Sequence, residues 1–313
     1  MIGGERLKTI NNERGGVLVF VVIGMLAMIA LTGLVIDGGM LYMEKSHLKK
    51  VANAAVLSGA QELKMQDDDE NTSEKMIKEI VDDIVAAHNE TNSLENCHVY
   101  NDQKVIVEMS KQVPLAFSTL FGIDFATVKV RSVAEIGQIG SAYGVAPLGV
   151  DESIALNFMQ EYKLKVDQTE VDSGNFGILA LGGPGAQTYE YNLKYGYPEK
   201  VSIGDVIDTQ TGNIAGKTRS GVQEKVNACN WSPGMQYSRD CERIILVNVY
   251  KPYQVDQNQV KQVQVTGFAY FFITKPMAEN DTSVTGMFIK MAGKGEIEAA
   301  AKNKGAYGIR LTE

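Results

Sequence analysis

Twenty-two consecutive residues, Gly15 to Ile36, carry no charge, and from Val17 onward only Gly24, Thr32 and Gly33 interrupt the apolar side chains. As a helix at ~1.5 Å per residue the run spans roughly 33 Å, close to the roughly 30 Å of a hydrocarbon core. Thirteen of its side chains are Val, Leu, Ile or Phe. On an insertion scale they supply about −4 to −8 kcal/mol, which Thr32 and two glycines do not cancel. A soluble helix of this length carries a polar face, and none is present. A secretory signal has a shorter apolar core ending at a small-x-small site, whereas this run ends Ile36-Asp37-Gly38-Gly39. Prepilin-type cleavage after Gly15 or Gly16 would call for a glutamate where Phe20 and Val21 stand. The sequence therefore predicts an uncleaved transmembrane helix over 17–36, preceded by a tail, 1–16. Arg6, Lys8 and Arg14 before it balance Lys45, Lys49 and Lys50 after it; only the amine at Met1 tips the N-terminus towards the cytoplasm.

The helix is expected to leave the bilayer and continue to about Gln66. Leu48, Val51, Ala52, Ala55, Val56, Gly59 and Leu63 recur at three- and four-residue intervals, with Lys49, Lys50, Asn53, Glu62 and Lys64 between them. Such a stripe must pack on its own strands or on partner helices. In either case Asp at Val51 and Ala55 is expected to abolish assembly and spare insertion. The acidic stretch Gln66 to Asn71 breaks the pattern as a solvated loop. Ser73 can cap a second helix whose apolar face holds Met76, Ile77, Ile80, Val81, Ile84 and Val85. Strand patterns follow at Cys97–Tyr100, Lys104–Met109 and Phe125–Ile136, the first two joined at Asn101-Asp102.

Beyond Ser141 turn residues become dense, and strands are expected at 175–181, 201–207, 244–250, 260–274 and 307–311, with a bulge near Gly267 and short helices at 187–194 and 219–227. The fold class is thus α+β: a transmembrane helix continuing into a pilin-like helix plus antiparallel strands (37–140), then a β-rich second domain (141–313).

Thirty Lys and Arg against 38 Asp and Glu leave a net charge of −8, without the basic footprint of a nucleic-acid binder. Gly212 to Thr218 has three residues between its glycines where a phosphate-binding loop needs four, so no nucleotide is expected. Asp151-Glu152-Ser153-Ile154-Ala155 resembles a metal-dependent adhesion loop but has Ala155 in place of a hydroxyl ligand. His47, His88 and His98 lie in helix or strand patterns away from any nucleophile turn, so neither cofactor nor catalytic residue is assigned. Cys229 and Cys241 flank an irregular segment containing Trp231, Pro233 and Gly234. A disulfide there would add about 3 kcal/mol and would place that part of the chain in an oxidising compartment. A zinc pair, the alternative, needs two further ligands. Cys97 is left as a buried thiol. Ala27, Ala30 and Gly33, three residues apart, make a small-residue stripe suited to helix association in the membrane.

Glu13-Arg14-Gly15-Gly16, the apolar run, Leu34 to Tyr42 and Leu48 to Ala55 together resemble the N-terminal module of TadG-like and TadE-like proteins of the Flp, or tight-adherence, pilus assembly system. That module carries a G-x-x-x-D-x-G-x-x-Y stretch, met here by Gly33, Asp37, Gly39 and Tyr42. Its L-x-x-A-x-D-A-A-A continuation is met with Val51 for the first Ala and Asn53 for the Asp. The resemblance implies a non-enzymatic, single-pass protein of the bacterial envelope, the bulk of the chain extracytoplasmic, working with the membrane and with other pilus-assembly subunits or itself. Two other classes stay open. An anchored surface domain could bind polysaccharide or a host ligand through Tyr189, Tyr191, Tyr195 and Tyr197, and an envelope hydrolase could use paired carboxylates.

Overall fold

A computed structural model describes residues 14–63, 70–165, 176–210, 214–256 and 259–313. One helix, α1 (Arg14–Gln61), carries the apolar run and the amphipathic stripe without a break as far as Gln61, short of the expected end near Gln66, and Leu63 lies in the turn after it. Helix α2 (Glu70–Ala87) begins three residues before Ser73, so Ser73 lies inside the helix rather than capping it. The stretch 66–69 lies outside the described residues, as do the tail up to residue 13 and residues 211–213.

Strands β1 (Leu94–Tyr100) and β2 (Lys104–Pro114) form a hairpin. Asn101 and Asp102 turn it at φ 51° and 48°, the left-handed pair that matches strand twist. β3 (Phe125–Ala142) pairs with β2 along its first half. β4 (Val145–Asp151), β5 (Glu161–Lys165) and β6 (Phe176–Ile178) lead to α3 (Ala186–Tyr195). Short β7 (Val201–Ser202) and β8 (Val206–Asp208) precede α4 (Ala215–Ala228), which starts four residues earlier than its sequence pattern suggests. Two long strands, β9 (Ile244–Asp256) and β10 (Gln259–Ile273), form a ribbon whose register slips between Val265 and Gly267, at the expected bulge. β11 (Ser283–Ile289), β12 (Met291–Gly293), β13 (Glu296–Ile297) and β14 (Ala306–Leu311) follow.

The strands form two sheets. The first has the order β1-β2-β3-β14-β12, with β7 and β13 also on β3. β14 pairs antiparallel to β3, with Arg310 opposite Glu135, so the late strand completes the early sheet. The second sheet has the order β5-β11-β10-β9-β4-β6, with β8 on β10.

Their cores differ. In β2, Val105, Val107 and Met109 are buried towards α1 and α2 while the residues between them are part-exposed, the alternation of a sheet covered on one face. In β10, Ala269, Phe271 and Ile273 join a core under α3 and α4, whereas Phe268, Tyr270 and Phe272 join one on the opposite face with Ile139, Leu246 and Cys241. Burial on both faces explains why the second half of β10, Phe268 to Ile273, reads as an unbroken apolar run.

Candidate functional site

α1 is, among the described residues, the helix long and apolar enough to cross a membrane. From Val17 to Ile36 every side chain is exposed except at Gly33. Val17, Phe20, Leu26, Ile29, Leu34 and Val35 point in all directions from the axis and meet no protein. A water-exposed surface of this kind would be ruinous for a soluble protein, whereas in hydrocarbon it costs nothing. Ala27 and Ala30 are open along this surface. Gly33 is covered from within the chain: a Cβ placed on it would lie 2.6 Å from the ring of Phe117.

One turn further on, Asp37 carries the first charge after the run. Its carboxylate is almost fully buried and accepts hydrogen bonds from the backbone N–H groups of Ala116 (2.8 Å), Phe117 (3.2 Å) and Ser118 (2.7 Å) and from the Ser118 hydroxyl (2.6 Å). The hydroxyl bond of Ser118 chiefly, helped by the three amides and against the opposing effect of burial, holds this carboxyl at about 2. Gly33 and Asp37, four residues apart, share one helix face. Together they dock the β2–β3 loop: the glycine admits the Phe117 ring, and the aspartate caps the turn Ser118–Phe121 that follows it. These are the first two positions of the G-x-x-x-D-x-G-x-x-Y stretch. The sequence marks them only as a motif, because the partner groups are backbone amides and carry no side-chain signal.

Further along α1, Leu48, Val51 and Ala55, together with Ala52, Val56 and Ala60 and with Leu63 just beyond the helix end, are buried against Ile77 and Val81 of α2, Val105, Val107 and Met109 of β2, and Val128 and Val130 of β3. The stripe docks on the chain's own strands. Ser132 donates to Asn53 (2.7 Å), and the Lys49 ammonium reaches the Arg131 carbonyl. The sheet is thus fixed along the helix in the order Asn53–Ser132, Lys49–Arg131, Asp37–Ser118, with the β2–β3 loop at the apolar end.

The remaining candidates are dispersed. Cys229 and Cys241 are joined in a disulfide with Cα atoms 5.4 Å apart, and Trp231 packs edge-on against Phe272 at 4.9 Å within the segment they enclose. Cys97 is a half-buried thiol that burial pushes up to about 11. His47 sits 3.4 Å from Glu90, with the His88 ring 6.5 Å away, and His98 is exposed in β1. Burial raises the Glu90 carboxyl, but hydrogen bonds from Lys111 and Ser93 outweigh it and hold the group below its ordinary value. Asp151 accepts its own Ser153 amide at 2.9 Å and Glu152 pairs with Lys302 at 3.2 Å, leaving both acids with partners inside the protein. The described residues contain no cluster of three His, Cys, Asp or Glu arranged to hold a metal. Tyr189 is buried beside Thr218, Tyr197 is half-buried, and Tyr191 and Tyr195 are exposed with rings 5.0 Å apart. A cleft of about 730 Å³ lies between the two sheets, where Arg239 bonds both Glu62 (3.0 Å) and the Ala292 carbonyl (2.9 Å).

No curated protein and no solved structure matches the chain. Residues 15–62, which are the membrane-length run and the buried stripe of α1 together, match the Tad family, described as "Putative Flp pilus-assembly TadE/G-like".

Proposed function

We propose that the chain is a non-enzymatic, single-pass component of Flp/Tad-type pilus assembly or anchoring at the bacterial envelope. Its tail (1–16) is cytoplasmic, 17–36 crosses the membrane, and the pilin-like part (37–140) and β-rich part (141–313) are extracytoplasmic. The observation that carries this reading is the coincidence of the Tad match with a single helix that is apolar all round in its first half and sheet-bound in its second. The Cys229–Cys241 disulfide supports the orientation, since cytosolic thiols are kept reduced. With Leu48, Val51, Ala55 and Leu63 committed to the chain's own core and Gly33 covered by Phe117, Ala27 and Ala30 are left as the open small-residue face for other assembly subunits or a second copy.

Isolation of the full-length protein from bacterial membranes with identification of its neighbours tests this reading. Pilus-assembly subunits, or a second copy, are expected in the complex. Recovery of the intact chain in the supernatant after a carbonate wash overturns it. The exposed Tyr191–Tyr195 pair favours a second reading, a surface domain that holds a polysaccharide against these two tilted rings. Replacing both tyrosines by Ala would then abolish retention on a polysaccharide column and leave the membrane complex intact.

A further inference from the structure

The geometry points to a second membrane contact: the β2–β3 loop, Leu115 to Phe125, inserts its apolar tip into the lipid interface beside α1. This inference rests on the reading of 17–36 as a transmembrane helix.

Between Lys111 and Lys129 the sequence holds one charge, Asp124. The loop presents Leu120 at 77% exposure and Phe121 at 73%, with Ile123 and Phe125 also exposed. These large side chains are not loosely strung. Leu115 N–H donates to Asp124 O (2.9 Å), closing the loop at its base, and Thr119 donates its hydroxyl to Leu115 O. Gly122, at φ 78°, ends the turn Ser118–Phe121 with its N–H on Thr119 O (3.0 Å). A pre-formed loop displaying four apolar side chains to water is a liability unless something apolar meets it.

Its position identifies what does. The loop is bound to α1 at Gly33 and Asp37, and Gly33 lies three residues inside the end of the apolar run. At ~1.5 Å per residue that is roughly 4–5 Å below the level of Ile36, so the docked loop starts within the interfacial layer, where amphipathic segments bury their apolar side by ~5–10 Å. Leu34, Val35 and Ile36, which lie between the two docking positions in the helix, are exposed as well. The occupant is therefore phospholipid at the interface, not a protein groove. The Asp37 carboxylate is thereby explained as well. An acid at the edge of hydrocarbon is tolerated only when its lone pairs are filled, and the loop supplies three amides and a hydroxyl to fill them. The helix and loop together would fix the tilt of the extramembrane part against the bilayer, which a single helix leaves free to swivel.

The test uses the full-length protein at low density in phosphatidylcholine vesicles brominated either near the headgroups or near the chain ends. Phe121→Trp and, as the helix control, Ile29→Trp are compared with the unaltered chain, whose Trp231 supplies the background emission. The added emission of Phe121→Trp is expected to be blue-shifted and mostly lost with shallow bromines. That of Ile29→Trp is expected to be lost with deep ones. Quenching of the control alone overturns the loop contact and leaves the transmembrane reading standing, and quenching of neither removes both. Loss of the Phe121→Trp quenching as protein density rises would assign the tip to a neighbouring copy and also overturn it. If Phe121→Trp disturbs the loop, Leu120→Trp provides the same readout from the adjoining exposed position.

Discussion

The two halves of α1 have opposite fates. Before Asp37 the side chains are exposed on every side, and after Leu48 one stripe is wholly buried while Lys49, Lys50 and Glu62 alternate with it. The difference lies in composition and in periodicity: Arg14 is the one charge of α1 before Asp37, whereas Asp37, Glu44, Lys45, Lys49 and Lys50 interrupt the rest. A helix apolar all round reports the solvent it was made for, whereas a three-to-four stripe reports a partner surface. The same rule separates the sheets: β2 alternates because helices cover one face, and Phe268 to Ile273 of β10 do not because cores cover both.

The comparison is broken most severely at Val51 and Ala55. Aspartate at both places two unpaired charges in the core beneath α2 and β2, at a cost of more than about 4 kcal/mol. The extramembrane part should become protease-sensitive while the chain stays in the membrane after carbonate washing; retained protease resistance would refute the internal docking of the stripe. Removing the disulfide with Cys229→Ser and Cys241→Ser should cost about 2–5 kcal/mol, read as a lower thermal midpoint together with a change in Trp231 emission. Gly33→Leu, which drives a side chain into the Phe117 ring, should destabilise by about 1–3 kcal/mol and raise hydrogen exchange at Ala116–Ser118. Asp37 sharpens the same point by pH. Because the folded carboxyl sits at about 2, below the ordinary ~3.9, its stabilisation is complete above that ordinary value and is lost as pH falls towards 2. Exchange protection of the loop amides should fade in that window, and Asp37→Asn should abolish the dependence. The smallest effect on folding is expected at Ala27 and Ala30. Leucine there should leave the melting of the extramembrane part within about 0.5 kcal/mol, since neither touches protein, yet lower the cross-linking yield between neighbours in the membrane.

Local patterns carried much of the fold. The continuous α1, the Asn101-Asp102 hairpin, the bulge at Gly267 and the Cys229–Cys241 bridge are all determined by residues near one another in the chain. Other features were not legible because their determinants are distant or lack a side chain. Nothing around Ala306 announces that Arg310 will lie opposite Glu135. Asp37 is conspicuous as a lone acid after an apolar run, but the amides that surround it belong to residues 116–118 and look like any others. The starts of α2 and α4 precede their apolar stripes because a helix can propagate through polar first turns once packing has paid for nucleation.

The late arrival of β14 has a consequence for maturation. The stretch Ala134–Gln138 of β3 lacks its β14 partner until Ala306–Leu311 reaches it, and any segment with a free strand could take that place first. A subunit emerging N-terminus first is therefore unfinished, and open to a substitute strand, for as long as the intervening 160-odd residues are still to come.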